Sequence, residues 1–164
     1  DSHCYRGCAM VTLAHYETWG STGPGNPMKQ IKVLIVDEHL AVRRALAARL
    51  DSFSHLEVVA TAASFAEGLE QVDRSRPDII LLEVKGTCDR LDPVGEMNKA
   101  LAGHPAGIIV LTSYADDDER EAALQAGARR FLLKQIDSAR LLSEIEAVAN
   151  EVAASSATAS GSAA

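Results

Sequence analysis

Five short, mostly apolar runs divide the central part of the chain, and a segment of helical character follows each one. The runs are Ile31–Val36, Leu56–Ala60, Ile79–Leu82, Ile108–Leu111 and Arg130–Leu133. Runs with little apolar/polar alternation predict strands buried on both faces, which is typical of a parallel sheet covered by helices. Right-handed crossovers between such strands predict a flavodoxin-like (βα)5 fold, a doubly wound α/β sandwich with strand order 2-1-3-4-5.

Apolar spacing and capping signals predict the five helices. Ser64 followed by Glu67 is a capping-box pattern, and Gly127 is placed to end the fourth helix. The predicted helices cover Leu40–Leu50, Ser64 to about Arg74, Pro93 to about Ala102, Asp116–Ala126 and Asp137 to about Val152.

The two ends of the chain differ from this pattern. Residues 1–28 lack periodicity and run into a Gly/Pro cluster, so we expect a flexible N-terminal extension or leader. Residues 153–164 contain only Ala, Ser, Thr and Gly, and we expect a flexible tail or interdomain linker. The predicted folded domain is therefore residues 29–152, and an output domain beyond Ala164 stays open.

Composition narrows the functional classes. The 164 residues carry 23 acidic against 16 basic side chains, a formal net charge of −7. Binding to nucleic-acid phosphates needs a basic face, so this domain is not expected to bind nucleic acid. The sequence has neither an apolar stretch of the roughly 20 residues that span a bilayer nor a signal-peptide pattern. Three cysteines cannot all pair with one another, so a disulfide-stabilised fold is not expected. The sequence therefore predicts a cytoplasmic location without membrane contact.

Charged and hydroxyl side chains follow the predicted strands. They are Asp37 and Glu38 after the first strand, Glu83 after the third, Thr112 after the fourth and Lys134 after the fifth. The carboxyl ends of parallel strands meet at one edge of the sheet, where the sites of such folds lie. Clustered carboxylates need a cation, and oxygen ligands suit Mg²⁺. Asp37, Glu38 and Glu83 are therefore candidate Mg²⁺ ligands.

Four segments in order resemble the receiver domains of two-component response regulators. They are Val33–His39, Arg76–Leu82, Val110–Ser113 and Ala126–Lys134. The resemblance implies phosphoryl-transfer positions at Glu83, Thr112 and Lys134, and conformational switch positions at Thr112 and Phe131. It also implies a histidine kinase or another signalling protein as partner, and a homodimer through the face of the fourth helix, fifth strand and fifth helix.

One departure from the family pattern changes the functional prediction. The family's phospho-accepting aspartate is replaced by Glu83, whose carboxylate is one methylene further from the backbone. Such a displacement costs catalysis heavily. We therefore expect an atypical, non-enzymatic receiver that acts by protein contact without phosphorylation, with Glu83 paired to Lys134 and to Thr112.

Two alternatives remain open from the sequence. One is a conventional receiver that accepts a phosphoryl group on Glu83 or on a loop aspartate, Asp89 or Asp92. The other is an unrelated flavodoxin-like binder of a small molecule. The second would need a glycine-rich phosphate loop after the first strand, and Asp37-Glu38-His39-Leu40 stands there instead.

Overall fold

The computed structural model describes residues 29–84, 92–114 and 116–160. The predicted extension over residues 1–28, the loop 85–91 with Asp89, and residues 161–164 lie outside the described residues. Along the chain the elements are β1 (Ile31–Val36), α1 (Leu40–Asp51), β2 (Leu56–Ala62), α2 (Phe65–Ser75), β3 (Ile79–Glu83), α3 (Pro93–Ala100), β4 (Gly107–Thr112), α4 (Asp117–Gln125), β5 (Arg130–Leu133) and α5 (Ser138–Ser160).

The five strands form one parallel sheet in the order β2-β1-β3-β4-β5. This confirms the predicted flavodoxin-like α/β fold. Glu83 is in register with Leu111, and Thr112 with Leu133. The last residues of β3, β4 and β5 therefore lie side by side at one edge of the sheet.

Each face of the sheet is covered by its own apolar cluster. Val33 and Ile35 point to the face on which α1 and α5 pack, where Leu46 and Ile145 are buried. Leu34 and Val36 point to the opposite face, covered by α2, α3 and α4. Burial of both faces explains why the strands read as continuous apolar runs.

The predicted helix signals are present. Ser64 Oγ accepts a hydrogen bond from the Glu67 N–H at 3.2 Å. Gly127 lies at φ 110°, and the N–H groups of Gly127 and Ala128 donate to the carbonyls of Leu124 and Ala123. This is the Schellman ending of a helix, which favours glycine because of its positive φ.

The predicted end of the last helix at about Val152 is wrong. Val152 is the last buried residue of α5, yet the helix continues through Ser160. Alanine has the highest helix propensity. The hydroxyls of Ser155, Ser156 and Thr158 donate to carbonyls four residues earlier, within the helix. The other elements begin and end within two residues of the prediction.

Arg130 on β5, the last strand of the sheet, forms ion pairs with α5. Arg130 Nε donates to Glu144 at 2.8 Å, and its Nη2 donates to Glu151 at 2.5 Å. The pKa of Arg130 is raised by its hydrogen bonds to Glu151 and Glu144. Within the described residues, no helix is long and apolar enough to cross a membrane.

Candidate functional site

The site lies at the carboxyl ends of three strands. Asp37 directly follows β1, Glu83 is the last residue of β3, and Lys134 directly follows β5. Because β3 lies next to β1 and only β4 separates it from β5, the parallel sheet brings the three side chains to one edge. This is the position expected for a functional site in an open α/β sheet.

Lys134 contacts both carboxylates. Its Nζ lies 2.5 Å from Glu83 Oε1 and 2.6 Å from Asp37 Oδ2. The side chains of Lys134, Glu83 and Asp37 are 12 %, 11 % and 3 % exposed. Water screens such a pair weakly, so the electrostatic interaction is stronger than that of a surface ion pair. The predicted contact between Glu83 and Lys134 is present.

Burial and hydrogen bonding have opposite effects on the ionisation of Asp37 and of Lys134. Burial works against the charged form of Asp37, but hydrogen bonds from Lys134 and from the His39 backbone N–H outweigh it and lower the Asp37 pKa. Burial likewise works against the Lys134 ammonium, and its hydrogen bonds to Asp37 and Glu83 raise the Lys134 pKa. Both residues are therefore charged at neutral pH.

His39 belongs to the site, although the sequence analysis did not select it. Its Nδ1 lies 3.3 Å from Asp37 Oδ1 and 3.7 Å from Glu83 Oε2. Its backbone N–H donates to Asp37 Oδ1 at 2.8 Å, which forms an Asx turn. That turn folds residue 39 back over the carboxylate, so the Asp-x-His spacing at a strand end was the available signal.

Glu38 contacts the site through both its side chain and its backbone. Its side chain is about half exposed and lies 3.5 Å from His39 Nε2, while its backbone N–H donates to Glu83 Oε2 at 3.3 Å. The residues that bring possible metal-ligand atoms within 4.8 Å of one another are Asp37, His39 and Glu83, without Glu38.

Arg43 on α1 also supports the site and was not predicted. Its Nη1 donates to the Asp37 carbonyl at 2.6 Å and to the Glu38 carbonyl at 3.1 Å. These bonds hold the turn that carries Asp37. An arginine in the first turn of the helix that follows a strand-end acid was the only sequence signal for this contact.

Thr112 is buried beside the site but does not bind Glu83. Its Oγ1 accepts a hydrogen bond from the Tyr114 N–H at 3.3 Å, and in the described part of the chain no hydrogen bond joins it to Glu83. The predicted Glu83–Thr112 contact is wrong, and the Glu83 oxygens instead accept hydrogen bonds from the Lys134 ammonium and the Glu38 N–H. Phe131 is half-buried and packs against the cluster under α3 and α4.

The donor atoms are suited to a divalent cation. The Asp37 and Glu83 carboxylates are oxygen ligands of the kind that Mg²⁺ prefers, and the His39 imidazole is a ligand that transition metals prefer. Both carboxylates already accept the Lys134 ammonium, so a metal ion would compete with an internal cation at this site.

Comparison with known proteins identifies the family. Residues 33–146 match the response regulator receiver domain family. The transcriptional regulatory protein LiaR of Bacillus subtilis is 35 % identical over 118 residues, covering 71 % of this chain and 55 % of LiaR. A protein-glutamate methylesterase/protein-glutamine glutaminase of Anaeromyxobacter dehalogenans is 32 % identical over 125 residues, covering 74 % of this chain and 34 % of that protein.

Solved structures show the same fold. A CheY-like response regulator receiver domain protein from Methanospirillum hungatei superimposes with a TM-score of 0.65 at 24 % identity, covering 77 % of this chain and 98 % of that one. The chain spans about half the length of LiaR and a third of the methylesterase. Receiver domains of response regulators interact with histidine kinases in two-component signalling. This chain belongs to the response regulator receiver domain family.

Proposed function

We propose that this receiver signals through protein contacts without being phosphorylated, and that Lys134 holds its site in one state. The observation that carries the proposal is the position of the Lys134 ammonium, which bonds at once to Glu83 and to Asp37. Glu83 supplies a fixed negative charge at the end of β3, where the family carries its phospho-accepting aspartate.

The charge on Glu83 is an incomplete substitute for a phosphoryl group. A carboxylate has one charge and two oxygens, whereas a phosphate carries about −1.5 to −2 and three oxygens. Both Glu83 oxygens have partners, namely Lys134 and the backbone N–H of Glu38. Hydrogen bonds to both oxygens lower the nucleophilicity of the carboxylate, which supports a fixed-charge role over phosphoryl transfer.

Mg²⁺ is a candidate cofactor rather than a requirement of this proposal. Asp37 and Glu83 would hold the ion, with Glu38 or His39 beside them. When bound, it would neutralise the carboxylates, which the Lys134 ammonium already does in its absence.

The proposed partners are a histidine kinase or another signalling protein, and a second copy of the chain. The α4–β5–α5 face is the proposed contact surface, since Leu124 on α4 and Leu133 on β5 are both exposed. The net charge of −7 disfavours nucleic-acid binding by this domain. A cytoplasmic location stays a prediction.

The test is chemical phosphorylation of the domain. We expect incubation with acetyl phosphate and Mg²⁺ to leave the intact mass unchanged. The Glu83 carboxylate is held by Lys134 and the Glu38 N–H, and it lies one methylene further from the backbone than an aspartate carboxylate. A stoichiometric adduct on the wild-type chain, labile to acid and base, would overturn the proposal. The Glu83→Asp variant should gain the adduct, which shows that the reagents and the rest of the site are competent.

A further inference from the structure

Arg49 on α1 reaches across to the turn that follows Lys134. Its Nη2 donates to the Ile136 carbonyl at 2.6 Å, and its Nε donates to Ser138 Oγ at 2.9 Å. All three residues are half-buried. One guanidinium therefore joins α1 both to the β5–α5 turn and to the first residue of α5.

The turn held by Arg49 contains Lys134. The Lys134 N–H donates to the Thr112 carbonyl at 2.8 Å, and the Ile136 N–H donates to the Leu133 carbonyl at 3.0 Å. These bonds fix the side of the turn that faces the sheet. The Ile136 carbonyl accepts its hydrogen bond from Arg49.

The contacts of Arg49 do not neutralise its charge. Its hydrogen-bond partners are a carbonyl and a hydroxyl, and it forms no ion pair with any residue in the ranges 29–84, 92–114 and 116–160. A planar guanidinium with several fixed donors is well suited to holding two acceptors in a set geometry. Arg49 therefore links α1 to the β5–α5 turn through hydrogen bonds.

A cavity borders Lys134 on the side of α1, and its other lining residues are Ala41, Val42, Ala45, Leu46 and Arg49. A lysine side chain has about 2 kcal/mol of rotamer entropy to lose when it is fixed in one geometry. Fixing the backbone from which it starts reduces the number of positions that Nζ can reach.

We propose that Arg49 is a positioning residue that sets the β5–α5 turn so that Lys134 reaches Glu83 and Asp37 together. The inference rests on the proposed function, in which the Lys134–Glu83 contact maintains a single state. Arg49 acts through Lys134 and touches neither carboxylate itself.

The experiment follows the Lys134 ammonium by ¹⁵N-detected NMR in the folded protein. A hydrogen-bonded ammonium exchanges slowly with water, so its signal reports the contacts directly. Arg49→Met keeps the length of the side chain and removes its donors. We expect exchange at Lys134 to accelerate roughly 5- to 10-fold, which corresponds to the loss of about one hydrogen bond. Arg49→Lys should restore part of the slow exchange.

Arg44→Met is the matched control, because Arg44 is exposed on the same helix, and it should leave the Lys134 signal unchanged. Ser138→Ala removes only the Nε acceptor and provides a milder variant where Arg49→Met does not fold. A lowered Tm with an unchanged Lys134 signal in the folded Arg49 or Ser138 variants would reduce Arg49 to a structural contact and overturn the inference.

The two proposals fail separately. A phosphoryl adduct on the wild-type chain would refute phosphorylation independence, while the NMR comparison would still show whether Arg49 positions Lys134. An unchanged ammonium signal in Arg49→Met, with no adduct on the wild type, would refute the inference alone.

Discussion

Lys134 and Glu83 form their ion pair across β4, because the strands that carry them are not neighbours in the sheet. The same ammonium extends one strand further, to Asp37 after β1. One cation therefore connects the ends of β1, β3 and β5. Movement of any one of these strand ends must change its distance from the other two.

Lys134→Met is expected to destabilise the domain by about 2–4 kcal/mol, because it leaves two largely buried carboxylates without their cation. Urea unfolding measures the change. Lys29→Met is the matched control: its ion pair with Asp78 is at the surface, with Lys29 84 % exposed, and surface pairs contribute little. Equal losses in the two variants would contradict a special role for Lys134.

Divalent cations should bind more tightly once the internal cation is removed. In Lys134→Met the Asp37 and Glu83 carboxylates lack their ammonium, so Mg²⁺ meets no competitor there. We expect backbone NMR shifts at residues 37–39 to saturate at a lower Mg²⁺ concentration than in the wild type. A Glu83→Gln, Lys134→Met double variant should lose this gain, and unchanged binding in Lys134→Met would rule out competition.

The stability of the domain should depend on pH at both extremes. The Asp37 pKa is lowered in the folded state, so its contribution is present above the unfolded value of about 3.9 and is lost as the pH falls through the folded value. The Lys134 pKa is raised, so its contribution is present below about 10.4 and is lost as the pH rises through the folded value.

The corresponding measurement is Tm against pH for the wild type and for Lys134→Met. The difference between the two curves should be largest from neutral to mildly alkaline pH. It should shrink toward low pH, where the carboxylates that lack their cation in the variant take up protons, and above about pH 10.4, where Lys134 loses its charge in the wild type. A difference that grows toward low pH would contradict the assigned direction for Asp37.

Arg130→Met is expected to lower the stability by about 1 kcal/mol, since its ion pairs with Glu144 and Glu151 are partly open to water. The loss should shrink at high salt because ions screen the pairs. Arg129→Met is a control at the adjacent position, where the side chain is exposed. A loss independent of salt would point to packing rather than charge.

Strand order and the convergence of the strand ends could be predicted, because both follow from the apolar runs and the rules of parallel topology. Asp37, Glu83 and Lys134 lie where the carboxyl ends of β1, β3 and β5 place them. To predict such positions, one needs to know only which residue stands at the end of each strand.

Contacts that depend on side-chain reach could not be predicted in the same way. His39 enters the site through an Asx turn, and Arg43 and Arg49 enter from α1 by long side chains that bond to carbonyls. Any arginine on an exposed helix face offers the same donors, so sequence spacing does not distinguish them. The Thr112 prediction failed for a related reason, since the side chain of Glu83 reaches the Lys134 ammonium and the Glu38 N–H instead.

α5 is a long helix that begins directly after the turn containing Lys134. From Ser138 to Ser160 a helix rises about 33 Å at 1.5 Å per residue, and about 12 Å of that lies beyond Val152, the last buried residue. A tilt of about 5° at the base would move the far end by about 3 Å. Because Leu141, Ile145, Val148 and Val152 of α5 are buried in the core, a rearrangement of the β5–α5 turn that tilted the helix would shift its core packing together with its exposed end.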